Sequence, residues 1–408
     1  MQYSLEEVAK HNKLDDCWII IYDKIYDFTN FMEKEHSGGF VPSSVAGMDA
    51  TNLFIITHPI YVKKLLEPTS QFYEKYYIGD VYEKVSRDDK LYYKLKKRVE
   101  KYMNKNKLKA RDNLFFEIEI VFLLIITIYT FFQMFNSHYK LFFCIFHGIS
   151  WTFLLTRTMH DSNHGGLTKQ NRWKRYLVTF IPEIFASNHS WQLQHNRHHM
   201  HTNVVNKDPD TKFDPLLRIT KTTKKNIQYK FQSIYAFLLY PLYTLKQMAH
   251  IYIFRNDNKA VEPMHNKMFI PAKLIFLGYW GYAVYKKQLL WLILCHLISG
   301  FYLSILFIVS HNQHHLIDDN RNDKSFLEEQ LSTTTDYNTG CEITNILSHG
   351  LNHQTIHHLF PSINYHHYPK LTKDVLIPFC KKYNLKYNGN ISFTRAVLTH
   401  IETLKNLS

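Results

Sequence analysis

The chain has 408 residues, a formal net charge of +14, 28 tyrosines and 29 phenylalanines. That length leaves room for two to three domains, the aromatic load is heavy for a protein surrounded by water, and the cationic excess fits nucleic acid or an anionic membrane face. The five cysteines (Cys17, Cys144, Cys295, Cys341, Cys380) are scattered and form no CxxC pair, which excludes a disulfide scaffold and predicts reduced thiols. The polar stretch from Met1 to Asp16 predicts no cleaved secretory signal, so any membrane insertion is expected to use internal segments.

Residues Trp18 to Asp27 are rich in β-branched and aromatic side chains around a turn and predict a short hairpin. Two histidines follow: His36, beside Gly38 and Gly39, and His58, before Pro59. Glycines let the backbone approach something flat, and two histidines from opposite sides can hold a haem iron axially; two surface histidines are the plainer alternative. The stretch resembles cytochrome b5 over about residues 3 to 82. Its family motifs stand here as His36-Ser37-Gly38-Gly39, as Asp49-Ala50-Thr51 with Phe54 and His58, and as a closing Ile78-Gly79-Asp80. Ser37 replaces the usual proline, while both candidate ligands remain. The resemblance implies a small α+β domain over residues 1–82 that binds haem b through His36 and His58 and passes electrons singly.

From Lys94 to Arg111 there are nine Lys or Arg and one acidic residue. This predicts a basic linker or collar, within 83–112, on the cytosolic side of a membrane. Four segments are long and apolar enough to cross a bilayer, approximately 114–135, 139–159, 269–285 and 289–310. Their short connections predict two helical hairpins. Glu117 and Glu119 sit near the start of the first and suggest that its boundary lies later. The segment 234–254 is also apolar, but it carries Pro241, Lys246, Gln247 and His250. It is expected to lie at the interface, because a fifth crossing would put the histidines described next on opposite sides.

The 25 histidines include three clusters, each just beyond an apolar run. They are His160 with His164; His195, His198 and His199; and His357 with His358. His311 ends the last span. Spacings of three and four place ring nitrogens on one helix face, and imidazole is a good ligand for iron, zinc or copper. A single HxxxH is common on a solvated face; three such clusters are not. Eight histidines suit two metals better than one. To share metals, all three clusters must lie on one side of the membrane.

These clusters resemble the histidine boxes of membrane fatty acyl desaturases, and the likeness covers nearly the whole chain. Gln354-Thr355-Ile356-His357-His358, with glutamine in the first position and a fused haem domain, resembles the front-end members. The fold implied is mainly α, a membrane-embedded four-helix desaturase domain (113–408) with a cytosolic di-metal cap. The resemblance implies two iron ions held by His160, His164, His195, His198, His199, His311, His357 and His358. Gln354 lies beside or within the coordination shell, and His314 is an alternative to His311. Asp161, Asp208 and Asp210 are expected to orient ligand rings; His189, His201, His349, His353, His366 and His367 are expected to be structural. The implied reaction inserts a double bond between an existing one and the carboxyl end of a polyunsaturated acyl chain, carried as a CoA ester or a phospholipid, of delta-5 or delta-6 type. It uses O2. No dinucleotide fingerprint is present, so NADH-cytochrome b5 reductase is the expected donor. The endoplasmic reticulum membrane is the expected location, with haem domain and boxes cytosolic, and nucleic acid is not an expected partner. The alternatives are a sphingolipid long-chain-base delta-8 desaturase, a di-iron hydroxylase, a membrane-anchored haem electron carrier and a histidine-rich metal transporter.

Overall fold

The computed structural model describes all residues except 37–40, 85–88, 112–113, 165–171, 254–262, 314–315, 317–323 and 390. The expected Ser37-Gly38-Gly39 loop and His314 therefore lie outside the described residues, as does the side chain of His189.

The N-terminal module is built on a five-stranded sheet in which β1 (Gln2–Tyr3) pairs with β5 (Tyr77–Val81), β5 with β4 (Lys24–Asp27), β4 with β3 (Asp16–Ile21) and β3 with β2 (Asn12–Lys13). Strands β3 and β4 form the predicted hairpin, with Ile20 opposite Ile25. Its two turn residues, Tyr22 and Asp23, have φ of 53° and 63°, the left-handed pair that matches the twist of the flanking strands. One sheet face, with Ile20, Ile25 and Val81, packs on Val8. The other joins a core with Phe28, Met32, Leu53, Ile56 and Tyr76.

The basic segment is a helix, Lys90–Lys105. Its cations other than Lys96 face outward, while Tyr92, Leu95, Lys96, Val99 and Met103 are buried, a helical stripe of three- and four-residue steps. That stripe lies in one continuous core with Leu53, Ile55 and Ile56 of the N-terminal module and the C-terminal residues Ile356, Leu359, Phe360 and Phe379. The expected linker is thus a structural layer between the two domains.

Among the described residues, three helices are long and apolar enough to cross a membrane: Leu114–Asn136, Lys140–His160 and Leu289–His311. Phe115, Ile118, Phe122, Ile125, Tyr129 and Phe132 form an exposed stripe on the first, the face expected to meet lipid. A further 23-residue helix, Pro263–Tyr285, contains the expected third span but is less apolar, with Pro271, Lys273 and the Gly278-Tyr279-Trp280-Gly281 run. The two hairpin turns meet at one end, where Lys140 Nζ donates to Gln288 Oε1 at 3.0 Å and Lys286 Nζ to Asn136 Oδ1 at 2.8 Å. His160 and His311 lie at the opposite end.

The segment expected at the interface departs from that expectation. It is a helix Gln232–Leu239, a 3-10 turn Tyr240–Leu242 and a helix Tyr243–Ile253, and it packs along the Leu289–His311 helix. Ser304 Oγ donates to Tyr240 O (3.2 Å), and Thr244 Oγ1 to His296 O (2.6 Å). Gly300 lets Pro241 come so close that a Cβ there would stand 2.1 Å from Pro241 O. Pro241 breaks the helix, and a glycine opposite makes room for the break.

Candidate metal centre and haem site

Four chain segments deliver the box histidines to one place. The Lys140–Leu155 helix passes into a π turn, Thr156–His160, before His160 and His164; such π turns are frequent at functional sites. The helix Asn188–Met200, capped by Ser187, carries His195, His198 and His199. The helix Gln354–Leu359 carries His357 and His358. Asp336 fixes its start, accepting from Thr355 N at 2.8 Å and Thr355 Oγ1 at 2.9 Å. His311 arrives from the end of the last span.

The rings fall into two groups. His160, His164, His195 and His357 offer ligand atoms within 4.8 Å of one another, and so do His198, His311 and His358; His199 makes a further such group with His357 and His358. Across the first group His160 Nε2 is 3.2 Å from His357 Nε2, and His195 Nε2 is 2.8 Å from His164 Nε2 and 3.1 Å from His199 Nε2. Two nitrogens at right angles on one metal, with bonds of about 2.1 Å, stand about 3 Å apart. In the second group Gln354 Nε2 lies 2.8 Å from His311 Nε2 and 3.1 Å from His358 Nε2. Gln354 Oε1 is buried without a hydrogen-bond partner among the described residues. Lone pairs facing lone pairs in a dry site, beside an orphaned amide oxygen, fit metal ions better than a purely organic core.

The outer ring nitrogens are held. Asp161 Oδ1 accepts from His160 Nδ1 at 3.0 Å, and Asp208 Oδ2 from His198 Nδ1 at 2.9 Å. Asp210 lies 3.6 Å from His198 and accepts from Gln194 at 2.6 Å. His358 Nδ1 is 2.9 Å from Gln330 Oε1, and His311 Nδ1 is 3.2 Å from Thr333 O. These bonds put the proton on Nδ1 and leave Nε2 free to ligate. Burial, and then the neighbouring imidazoles, holds His164, His195, His199, His357 and His358 well below the usual histidine range, so they stay neutral. His198 goes the other way: burial alone would lower it, but Asp208 lifts it to about 9.

Residues the sequence did not single out complete the site. Arg157 is fully buried, its Nε 3.1 Å from Glu119 Oε1, its Nη1 4.0 Å from Asp161, and its guanidinium 3.6 Å over the Tyr365 ring. Tyr365 OH donates to Glu119 at 3.1 Å. Glu119 is therefore a partner inside the first span rather than a mark of its boundary, and a carboxylate in an apolar run was the signal. Among the expected structural histidines, His349 and His353 are buried, His366 Nε2 is 3.7 Å from Glu119, and His367 bonds Lys109 O.

An apolar cleft reaches His160 from within the bundle. Trp151, Leu155, Phe185, Met248, Leu303 and Phe307 are among its walls. Trp151 to His160 is nine residues of one helix, a depth of about 13 Å.

In the N-terminal module the His36 and His58 rings face each other, centroids 6.0 Å apart and planes at 51°. Two imidazoles bound opposite one another on a metal, at about 2 Å per bond, place their centroids roughly 6 Å apart. His58 Nδ1 is 3.1 Å from Phe54 O, and Phe54 stacks on its ring. The pair fits a haem.

The family described as "Fatty acid desaturase" matches residues 138–390, and "Cytochrome b5-like Heme/Steroid binding domain" matches residues 4–82. The chain is 32% identical to "Delta(5) fatty acid desaturase A" of Dictyostelium discoideum, over 99% of this chain and 93% of that protein. It is 29% identical to "Acyl-lipid (8-3)-desaturase" of Physcomitrium patens, over 100% and 91%. It is 27% identical to a protein of the same description from Mortierella alpina, over 99% and 97%. The mainly helical fold, the haem module at one end and the histidine groups at the rim of an apolar bundle agree with these matches, and the chain belongs to the fatty acid desaturase family, with a cytochrome b5-like haem domain fused to it.

Proposed function

We propose that the protein is a front-end desaturase of the delta-5 type, acting on a polyunsaturated acyl chain carried by CoA or a phospholipid. The convergence of two histidine groups on the end of an apolar cleft carries this reading. The names of the relatives above support the regiochemistry. His160, His164, His195 and His357 would hold one iron, and His198, His311 and His358, with Gln354 beside them, a second. His199 faces both groups. His36 and His58 would hold the haem.

Iron with dioxygen supplies an oxidant strong enough for an unactivated C–H bond, which no side chain can provide. Two C–H bonds yield two electrons and two protons; two more of each come from outside, and O2 leaves as two waters. The cleft walls exclude water and present one segment of the chain to His160. Asp161 and Asp208 keep His160 and His198 in the ligating tautomer. Fusion of the haem module raises the local concentration of the electron carrier, and a flavin-dependent reductase such as NADH-cytochrome b5 reductase would recharge it. The nine cations between Lys94 and Arg111 join the spans at the histidine end, which supports a cytosolic face on the endoplasmic reticulum membrane.

The test is expression in yeast fed polyunsaturated C18, C20 and C22 acids, with products read by mass spectrometry. A product with one more double bond on the carboxyl side is expected, absent in His160→Ala. New double bonds confined to sphingoid bases, or an equal yield from both proteins, would overturn the assignment.

A further inference from the structure

The helix Lys90–Lys105 does more than join two domains. Its buried Tyr92 hydroxyl donates to Leu359 O at 2.8 Å and lies 3.3 Å from Ile55 O. Its buried Lys96 ammonium donates to His58 O at 2.5 Å and also to Ile55 O. Leu359 directly follows His358, and His58 faces His36. A chain of hydrogen bonds thus runs from the peptide of His58 through Lys96, Ile55 and Tyr92 to the peptide after His358. Tyr92 also stacks on Phe360, with centroids 5.7 Å apart and planes at 18°. Two further bonds fix the same juxtaposition: Asn52 Nδ2 donates to Met200 O at 2.9 Å, next to His199, and Asn196 Nδ2 to Ser44 Oγ at 2.8 Å.

A solvated linker has no need to bury an ammonium, which is costly unless its hydrogen bonds are met. Here the partners are backbone carbonyls at the end of the helix Thr51–Thr57, where a cation also offsets the helix dipole. Electron transfer through protein falls off steeply with distance and is favoured by bonded and hydrogen-bonded contact over gaps. We propose that Tyr92 and Lys96 are positioning residues for electron transfer, holding the haem module against the third histidine box so that electrons leave along this bonded bridge. This rests on the reading of His36 and His58 as haem ligands and of the boxes as the iron site. In each transfer the haem passes from ferrous to ferric and the metal site gains one electron. An external flavoprotein reductase restores the haem, and two transfers serve one double bond.

The experiment uses the purified full-length protein loaded with haem and iron. The haem is reduced in advance and mixed with oxygen and a substrate acid, and its reoxidation is followed in the visible band. Tyr92→Phe is expected to slow reoxidation about fivefold to tenfold, with haem content, iron content and haem potential unchanged. Lys96→Met removes a positive charge near the haem and lowers its potential. That alone would speed transfer, so slower transfer in this variant reports lost coupling. Lys97→Met, on the exposed face of the same helix, serves as the control and keeps the original rate. Both buried-site variants should also raise amide exchange at Ile55 to His58 in the metal-free protein. Unchanged reoxidation in the Tyr92→Phe/Lys96→Met double variant, fully loaded, would refute the bridge. So would loss of haem or iron in both single variants, which would make the helix a structural brace only. Absence of fast reoxidation in the unsubstituted protein would instead sink the functional reading above, and the bridge with it.

Discussion

Gly300→Ala tests whether the wall of the apolar cleft depends on one missing side chain. A Cβ at Gly300 would lie 2.1 Å from Pro241 O and 2.8 Å from Pro241 C, both backbone atoms that cannot rotate away. Ordinary contact begins near 3.4 Å, so the Tyr240–Leu242 turn must retreat by about 1.3 Å or the last span must bend. Overpacking of this kind costs about 1–3 kcal/mol, a factor of about 5 to 150 in the population of the original packing. Tyr243, Thr244, Gln247 and Met248 follow the turn and line the cleft. Their displacement would misplace the acyl chain relative to His160, while the histidine groups, of which only His311 shares the Gly300 helix, three turns further on, keep their metal. The expected result is full iron and haem content, a lower melting temperature, and product yield reduced at least tenfold in the yeast feeding assay. Wild-type yield together with a wild-type melting temperature would show that the close approach is not needed, and the derivation from it would fail.

Arg157→Met removes the buried cation between Glu119 and Asp161 and leaves Glu119 uncompensated, a loss of about 3–5 kcal/mol. The double variant with Glu119→Gln should recover part of it, and thermal unfolding of both would show no such rescue if the pair is only incidental. In the metal-free protein Asp208 holds His198 up at about 9 against an ordinary 6.5. That pair therefore stabilises the apo fold fully below 6.5 and loses its contribution as the pH rises towards 9. Iron must displace that proton, so uptake by the apo protein should improve over the same window; pH-independent uptake in a titration would contradict this. Trp151→Ala opens the inner end of the cleft towards Phe185 and Tyr279, which Trp151 now contacts. Mixed feeding of C18 to C22 acids should then shift product towards the longer chains, and an unchanged profile would place the chain-length limit elsewhere.

The candidate ligands were legible because metal binding restricts residue type and helical spacing together. His195, His198 and His199 announce a helix face before any fold is known. Their sorting was not legible: that His357 joins His160, His164 and His195 while His358 joins His198 and His311 depends on how the helix Gln354–Leu359 lies between the others. Glu119 looked like a boundary marker because a linear reading cannot pair it with Arg157, which lies on another helix. The segment around Pro241 carries enough polar side chains to suggest the membrane surface. Only the space at Gly300 shows that it packs inward, with Thr244 spending its hydroxyl on a backbone carbonyl. The cations of Lys90–Lys105 hid the apolar stripe beneath them, since seven Lys or Arg in sixteen residues dominate any average taken along the chain. The helix Pro263–Tyr285 contains the expected third span, and its Lys273 ammonium bonds Glu183 O at 2.5 Å, a local answer to a charge that lowers the apolarity of the segment.

The haem module rests directly on the helix Asn188–Met200, through Ser44 with Asn196 and Asn52 with Met200. A diffusing carrier protein that sought to discharge at this face would find the berth taken by the tethered one. The fusion therefore acts as a monopoly as well as a convenience: the rate at which the resident module can be refilled becomes a ceiling on turnover, however abundant other carriers are in the same membrane.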